Sequence, residues 1–578
     1  MSFIENQDHV RKASMCAVIA ALAAFSLSTA AQAQTYTPAT MSTLQLATVD
    51  PNFQFARREE SAVLPTVAEA DSVAKVNSEP VPTLTSPWWL DDLFSHRSSE
   101  VADGQRWQLD DLIWLSIKHS PYVQSILIDP QIQDARALET LGEFDPATFV
   151  ESIFNDTSDP VGNTLITGTA NRLNEHLWEN RSGVRGKGMR GGEGEFYQEF
   201  LFKDNNSDFF SPRNQADTTM VLRYTQPLMR GAGLAYNRSS YVVATLSASQ
   251  TRQEAERKLQ SHTLTITNAY WNLFAARAQY KQVTRGMQNL VRMREQLAQR
   301  SDIDSLRSQL LRADQALATQ RANLAAANSQ IVAAEAELRA AVAAPQLLGD
   351  RRKPILPETI PADFRAVISL QTELGAALND HPEIQQVREA LKSSRVRLQV
   401  AEQELRPTLD LVLESYVRGL NGNFDAAKSF GDQFSTGAPS YSAGLSYSRP
   451  YRGKAAKGVL QERRLELRRE LLQLEQTLLD VGAKVESAVA AVDAAFVALE
   501  SAVQATLTNL HELEYLKARY ENSFLDPTST SILIDQRLAA EIRLIESENE
   551  WVRAQVDHMI AIANLRYETG AILRAFGS

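Results

Sequence analysis

Residues 454–524 read KAAKGVLQERRLELRRELLQLEQTLLDVGAKVESAVAAVDAAFVALESAVQATLTNLHELEYLKARYENSF. From Leu467 to Leu507 the apolar residues recur at steps of four or three, and forty residues over eleven steps average about 3.6 residues, the period of one helix face. No proline interrupts the stretch before Pro527. The pattern predicts a single helix from about residue 455 to 524, roughly 100 Å long at about 1.5 Å per residue.

A polar turn and a returning helix follow this long helix. Residues 525–530 read LDPTST, and from Leu538 to Met559 apolar residues again recur at helical spacing. The returning helix is expected to stop near Gly570, so the two helices form a hairpin over 455–572. On this stretch alone, a cytosolic coiled-coil rod is an equal alternative.

The start of the chain has the features of an export signal. Arg11 and Lys12 precede an apolar run at 17–27, and the small-x-small sequence Ala-Gln-Ala follows at 31–33. This order predicts a signal peptide over 1–33. The single Cys of the 578-residue chain, Cys16, lies inside it, so we expect neither a disulfide nor a lipid anchor. The net charge of -11 argues against a nucleic-acid partner.

Residues 34–105 are rich in Ser, Thr, Pro, Ala and Val and show no sustained period. This composition predicts a disordered N-terminal extension. Residues 87–90, PWWL, are the exception and are expected to form at most a short ordered patch. Because no later run of 18 apolar residues is evident, we expect no transmembrane helix.

The rest of the chain has the pattern of an internal repeat. A short amphipathic helix ends at Pro121 and another at Pro382, which lies 261 residues later. The next helix in each copy ends at Pro146 or Pro407, again 261 residues apart. The sequence therefore predicts two repeats, over 106–345 and 362–573, joined by a proline-rich linker at 346–361.

After each second proline the period changes from helical to alternating, which is typical of strands. Four strands are predicted, over about 147–157, 218–230, 408–418 and 440–452. Each pair precedes a helical hairpin, over 237–344 or 455–572. The first pair is separated by 38 more residues than the second, and this excess is polar and glycine-rich around 183–194. We expect 158–216 to be one long exposed loop outside the cell.

The strand lengths carry a physical requirement. About ten tilted residues span the core of a bilayer. Four strands cannot close a barrel, since about eight is the smallest common number, and open sheet edges are not tolerated in lipid. At least two chains are therefore expected to share one barrel. The alternative is a soluble sheet with one face in water.

These features together resemble the TolC family of outer-membrane efflux channels. The resemblance covers about residues 106–573. It rests on an ordered set of short motifs: Ser120-Pro121, His381-Pro382, Gln226-Pro227-Leu228, Ala518-Arg519-Tyr520 leading to Asp535-Gln536, and the closing NLRYETGAIL at 564–573. It implies a homotrimer in which twelve strands form one barrel in the outer membrane. The barrel continues into the periplasm as an α-helical tunnel, which meets an adaptor protein and an inner-membrane pump.

The expected fold class is thus mixed α and β, with long helical hairpins forming a periplasmic α-barrel and four strands per chain in a shared transmembrane β-barrel. The expected function is a passive exit duct for small molecules in a tripartite efflux system of a Gram-negative bacterium. The exit channel of a type I protein-secretion system is the alternative within the family. A periplasmic coiled-coil adaptor or a structural protein is the alternative from another class.

No catalytic pattern is evident, and no enzyme activity, cofactor or metal site is expected; the eight His residues are scattered. The resemblance instead directs attention to the tips of the hairpins, which close the tunnel in the family. By motif, Tyr520 and Asp535 match a family Tyr and Asp. Asp526 in the second turn, with Asp302 and Asp304 in the first, adds carboxylates there.

The second tip departs from the family pattern. Ile532 stands where a further Asp would be expected, and Asp526-Pro527-Thr528 replaces Gly-Thr-Arg. Because the basic partner is missing, we expect the resting tip to be held more by packing than by ion pairs. The alternative for each Asp is a solvated side chain or a helix cap.

Overall fold

The computed structural model describes residues 87–94, 104–212, 214–304, 307–349, 353–362, 364–521 and 527–574. The predicted signal peptide and the first part of the extension, residues 1–86, lie outside these ranges. The helices are α1 (Trp88–Phe94), α2 (Leu109–His119), α3 (Pro121–Leu141), α4 (Leu234–Asn237), α5 (Ser239–Asp304), α6 (Arg307–Val342), α7 (Pro345–Leu348), α8 (Leu370–Asp380), α9 (Pro382–Glu404), α10 (Ala426–Ser435), α11 (Lys454–Glu521) and α12 (Pro527–Glu568). The strands are β1 (Gln105–Trp107), β2 (Ala147–Pro160), β3 (Arg172–Lys187), β4 (Glu193–Asn205), β5 (Gln215–Pro227), β6 (Ile355–Pro357), β7 (Thr408–Asn421) and β8 (Ser440–Ser448).

Two antiparallel helical hairpins make up the helical part, α5 with α6 and α11 with α12. Helix α11 has 68 residues, which corresponds to roughly 100 Å. Its buried residues include Val481, Val492 and Val503, which belong to the apolar stripe read from the sequence. The shorter helices α3 and α9 pack on α5, and α9 also packs on α11.

A core of large aromatic side chains lies where the hairpins meet α1 and α2. Trp89, Tyr270, Trp271 and Phe274 are almost fully buried there. The ring centroids of Trp89 and Trp551 are 4.9 Å apart, in an edge-to-face arrangement. Such pairs stabilise a core by about 0.5–1.5 kcal/mol beyond their area.

The predicted disordered extension contains an ordered helix, α1 at 88–94, which is longer than the short ordered patch expected at 87–90. The indole N–H of Trp88 donates to Glu548 Oε1 at 2.8 Å, and the Arg285 guanidinium lies 4.1 Å from the Trp88 ring centroid. Trp89 is only 1% exposed. Two adjacent indoles bury enough apolar surface to order this short helix, although the composition around it is typical of disorder.

The main sheet has six antiparallel strands in the order β2-β3-β4-β5-β7-β8. The prediction of four strands is therefore wrong, although the prediction of a mixed α and β fold is confirmed. A second, two-stranded parallel sheet pairs β1 with β6. Strand β6 and helix α7 lie within or beside the stretch predicted as a linker. The two halves of the chain otherwise run through the same order of elements, two helices, strands and a long hairpin.

The extra strands β3 and β4 occupy about half of the stretch predicted as one loop, 158–216. Their polarity concealed them, because one face of each strand carries mainly charged residues. Phe196, Phe200 and Phe202 at alternate positions of β4 are the signal that could have revealed a strand.

The turn between β3 and β4 also lies at the opposite end of the sheet from the one expected. A Cβ on Gly191 would collide with the carbonyl of Gly231 and would lie 2.7 Å from Asn237 Nδ2. Gly231 and Asn237 connect β5 to α5. Gly191 is therefore at the end of the sheet next to the long helices, whereas a single loop between β2 and β5 would lie at the opposite end.

Of the helices in the described ranges, only α11 contains a stretch whose length and apolar composition would allow it to cross a membrane. This differs from our expectation from the sequence. About seven tenths of that stretch is not buried within one chain. Because α11 continues far beyond such a stretch on both sides, its length greatly exceeds a bilayer core of about 30 Å.

Candidate functional site: the two sheet faces and the hairpin tips

The six-stranded sheet has one apolar face, which we call the aromatic face. The strand register places Phe154 opposite Trp178, and Trp178 opposite Phe202, so these rings lie in one row across three strands. Paired positions in antiparallel strands point to the same face. Following the register across the sheet, the larger apolar members of this face include Val150, Phe154, Trp178, Val184, Phe196, Phe200, Phe202, Met220, Leu222, Leu409, Leu411, Leu413, Val417, Tyr441, Leu445 and Tyr447.

The opposite face, which we call the charged face, carries ion pairs that cross neighbouring strands. Arg181 of β3 lies between Glu179 of its own strand and Glu199 of β4, with Nε to Oε2 of Glu199 at 2.8 Å. Further pairs on this face are Lys203 with Glu175 at 2.8 Å, Arg223 with Glu414 at 2.9 Å, and Arg418 with Asp217. Cross-strand charges of opposite sign stabilise the pairing while keeping this surface polar.

The two edges of the sheet are open. Strand β2 is exposed along nearly its whole length, and Val150 is 82% exposed. Strand β8 is likewise exposed at eight of its nine residues. Among the described residues, β2 pairs only with β3 and β8 only with β7. Each edge therefore presents a row of backbone N–H and C=O groups that can pair with another strand.

The hairpin tips lie at the ends of α5 and α11. Helix α5 ends at Asp304 and α6 begins at Arg307, while α11 ends at Glu521 and α12 begins at Pro527. An apolar cluster joins the two hairpins here, with Leu290, Met293, Leu297, Ala313, Leu317, Ile534 and Leu538 buried in it. Gln309 Nε2 donates to Ser531 Oγ at 2.8 Å across the same junction.

Asp535 forms an ion pair with Arg312, which joins the second hairpin to the first. The basic partner that the second tip lacks is thus supplied by Arg312 of the first hairpin. The sequence of the second tip alone could not reveal it. Arg312 lies five residues after the start of α6 and Asp535 eight residues after the start of α12, and this similar distance from the two tips is the signal that could have paired them. Tyr520 lies under Arg537, with the guanidinium carbon 5.6 Å from the ring centroid.

The remaining predicted tip residues are only partly described. Asp302 and Asp304 lie in the last turn of α5, and Asp526 lies outside the described residues. Among the described residues no three His, Cys, Asp or Glu side chains come together as a metal site would require. The arrangement of the tips is one of packing and charge pairing between helices.

Comparison with solved structures identifies the fold. The outer-membrane channel OprN matches with a TM-score of 0.58 and 16% identity, over 80% of this chain and 90% of OprN. The outer membrane protein VceC from Vibrio cholerae matches with a TM-score of 0.55 and 16% identity, over 80% and 96% of the two chains. The open state of the MtrE outer membrane channel from Neisseria gonorrhoeae gives 0.54 and 16%, over 80% and 89%.

This chain has the fold of the TolC-family outer-membrane channels. The resemblance read from the sequence is therefore confirmed at the level of fold. No protein-family model matches the sequence, and no curated protein does either. Against the four strands per chain that the TolC-family resemblance implied, β3 and β4 are an insertion within the wall of the sheet. They separate β2 from β5, which would otherwise be neighbours.

Proposed function

We propose that three copies of this chain form an outer-membrane channel whose wall has eighteen strands, six from each copy, and that it is the passive exit duct of a tripartite efflux system. The observation that carries the proposal is the six-stranded sheet with one apolar face, one charged face and two exposed edges. The aromatic face meets lipid and the charged face lines a water-filled lumen.

The open edges require other copies. Six strands are fewer than the roughly eight of the smallest common barrels, and unpaired backbone groups are not tolerated in lipid. Pairing β8 of one copy with β2 of the next closes the wall after three copies. Barrels of about 16 to 18 strands are wide enough to leave an aqueous channel.

The height of the aromatic face fits a bilayer. The eleven residues of β5 from Ala216 to Gln226 rise roughly 33 Å along the strand, over ten steps of about 3.3 Å each. With a strand tilt of about 40° this gives roughly 25 Å across the membrane, the usual height of the apolar band of a transmembrane barrel. The long helical hairpins then extend on one side only, into the periplasm.

The hairpin tips would form the closed end of the periplasmic tunnel. By sequence, Asp302, Asp304 and Asp526 belong to the tips, and three copies of such carboxylates would make a ring of like charge that favours cations and attracts divalent ions. Replacing Asp302 and Asp304 by Ala is expected to reduce cation selectivity in planar bilayers. Because Arg312 neutralises Asp535, Asp535 adds no net negative charge to that ring.

Adaptor and inner-membrane pump partners would dock on the helical hairpins, and the pump would supply the energy. Cross-linking in intact cells, followed by purification, distinguishes the two roles within the family. Recovery of an adaptor with a drug or ion pump supports efflux. Recovery of an ATP-driven exporter with a secreted protein supports type I protein secretion.

The closure of the wall is tested by disulfide cross-linking. With Cys16→Ser the chain has no cysteine, so Leu445→Cys in β8 can be combined in turn with Thr148→Cys, Val150→Cys, Ser152→Cys or Phe154→Cys in β2. At least one pair is expected to give linked trimers on a denaturing gel. Leu445→Cys with Leu222→Cys on β5, in the middle of the sheet, is the control and should not link copies. Monomers with every pair would overturn the shared barrel.

A further inference from the structure

A short helix that the sequence analysis did not foresee lies on the aromatic face, at the end of the sheet away from the hairpins. Helix α10 belongs to the connection between β7 and β8 and packs on β7 and β5. Ser429 Oγ donates to the carbonyl of Gly419 at 2.8 Å and lies 3.0 Å from Thr218 Oγ1. Thr218 pairs with Phe200 on one side and with Gly419 on the other. Because Phe200 belongs to the aromatic face, Thr218 and Gly419 lie on that face too.

The polarity of α10 is the reverse of that of a helix on a soluble protein. Its fully buried residues are polar, Ser429 and Gln433, while Phe430 is 41% and Phe434 53% exposed. At about 100° per residue, Phe430 and Phe434 lie on one flank of the helix, and Lys428 and Ser435 lie on the other. The helix therefore has three sides: a polar side that packs on the sheet, an aromatic flank and a polar flank.

The polar side of α10 lies in close contact with the sheet. A Cβ on Gly419 would collide with the carbonyl oxygen of Ser429 and would lie 2.6 Å from the backbone nitrogen of Gln433. The side chains of Gln198 and Gln433 approach to 3.4 Å, and Asn421 Nδ2 donates to Asp432 Oδ2 at 2.9 Å. Glycine at 419 thus lets the helix lie flat against β7, and polar contacts hold it there.

The aromatic flank continues a row of rings on the sheet. Phe430 stacks on Phe200 with centroids 6.3 Å apart, and Phe434 follows at 5.5 Å from Phe430. Phe424, just before the helix, is 6.2 Å from Phe202, which is in turn 5.5 Å from Trp178. This row runs from α10 across β4 and β3, and so away from the exposed edge strand β8.

We propose that α10 is a membrane-interface helix, whose Phe430 and Phe434 enter the lipid of the outer leaflet while Lys428 and Ser435 face water. This inference rests on the proposed function, because it takes the aromatic face as the lipid side. Aromatic residues gather where a barrel meets the interface, and amphipathic helices lie in the same plane. Because the ring contacts of α10 run towards its own strands β4 and β3, lipid is a better occupant than a neighbouring copy.

The test uses site-directed spin labels in phosphatidylcholine vesicles. In the Cys16→Ser background, labels at Phe430→Cys and Phe434→Cys are compared with Ser435→Cys on the opposite flank. Leu445→Cys on the aromatic face of β8 and Ser446→Cys on its other face calibrate the sheet. The readout is the ratio of collision with oxygen, which partitions into lipid, to collision with a water-soluble nickel chelate.

We expect ratios at Phe430 and Phe434 several-fold above that at Ser435. A ratio at both Phe positions as low as at Ser446 would mean that the flank faces water and would overturn the proposal. Protection from both reagents would mean a protein interface and would also overturn it. If Leu445 itself reports water, the barrel of the proposed function fails; if Leu445 reports lipid and the Phe positions do not, only the role of α10 fails.

Discussion

The helical core around Trp89 and the six-stranded sheet satisfy their physical requirements in opposite ways. In the core, Trp89, Tyr270 and Trp271 are buried by helices of the same chain. In the sheet, β2 and β8 leave their outer edges exposed, and the aromatic face leaves side chains such as Val150 and Phe154 in the open. One region is complete within a single copy, whereas the other, under the proposed function, needs both other copies and lipid.

This difference indicates an order of events. A single chain can form the helical core alone, because the packing that stabilises it is intramolecular. Under the proposed function, the sheet gains its stability only when edges pair between copies and the aromatic face leaves water. Variants of the sheet should therefore affect assembly, while variants of the core should affect the stability of each chain.

The largest effect is expected for Gly444→Pro in the edge strand β8. Proline removes a backbone donor and restricts φ, so it disrupts either the pairing with β7 or the pairing with the next copy. We expect trimers in mild detergent to fall to monomers in light scattering, with little loss of helical circular dichroism. Gly444→Ala is the control, since a Cβ there meets no atom within 4 Å. Intact trimers of the proline variant would show that β8 is not an interface strand.

A large effect on stability, without an effect on edge pairing, is expected for Trp89→Ala. Truncating a buried Trp costs about 3–5 kcal/mol, because it leaves a cavity among Trp271, Trp551 and their neighbours. Chemical denaturation followed by circular dichroism measures the change. Trp114→Ala is the matched control, because Trp114 is 60% exposed, and it should cost no more than about 0.5 kcal/mol. Equal effects of the two variants would contradict the assignment of α1 to the core.

A smaller effect on stability but a clear effect on conductance is expected for Arg312→Ala at the hairpin tips. The side chains of this pair are 58% and 32% exposed, so it contributes at most about 1 kcal/mol. Because the pair joins the two hairpins, its loss should raise single-channel conductance. Arg294→Ala, which breaks a pair with Asp314 inside one hairpin, is the control. A return to the wild-type conductance in the charge-swapped variant Arg312→Asp/Asp535→Arg would show that the ion pair holds the two hairpins together.

The smallest effect is expected for Glu548→Gln beneath Trp88. Burial raises the pKa of Glu548, and Arg285 opposes this shift only in part. The native state therefore holds a proton to higher pH than the unfolded state, and stability is lost as pH rises from the usual pKa of 4.5 through the raised value. We expect the variant to unfold at a higher temperature than the wild type at pH 7, with the gap closing below that usual pKa. The exposed Glu486→Gln is the control, and a gap that persists in acid would contradict this cause.

Local patterns were sufficient to predict the helical hairpins and the strands of the second half. The apolar stripe from Leu467 to Leu507 has one period, and a helix of that period can bury it in only one way. The alternation at 409–417 similarly indicates a strand. Both signals arise within a few turns of the chain, so no knowledge of distant residues was needed.

The tertiary structure alone decided three features that depend on residues far apart in sequence. Strands β3 and β4 have a charged face that weakens the strand signal of their sequence, and their place in the sheet depends on hydrogen-bonding partners in β2 and β5. Gly286 on α5 packs closely against Ile545 of α12, and a Cβ at position 286 would collide with the isoleucine side chain. Arg312 and Asp535 are separated by 223 residues and meet only because two hairpins pack together. Periodicity reports which face of an element is buried, but only packing determines what covers that face.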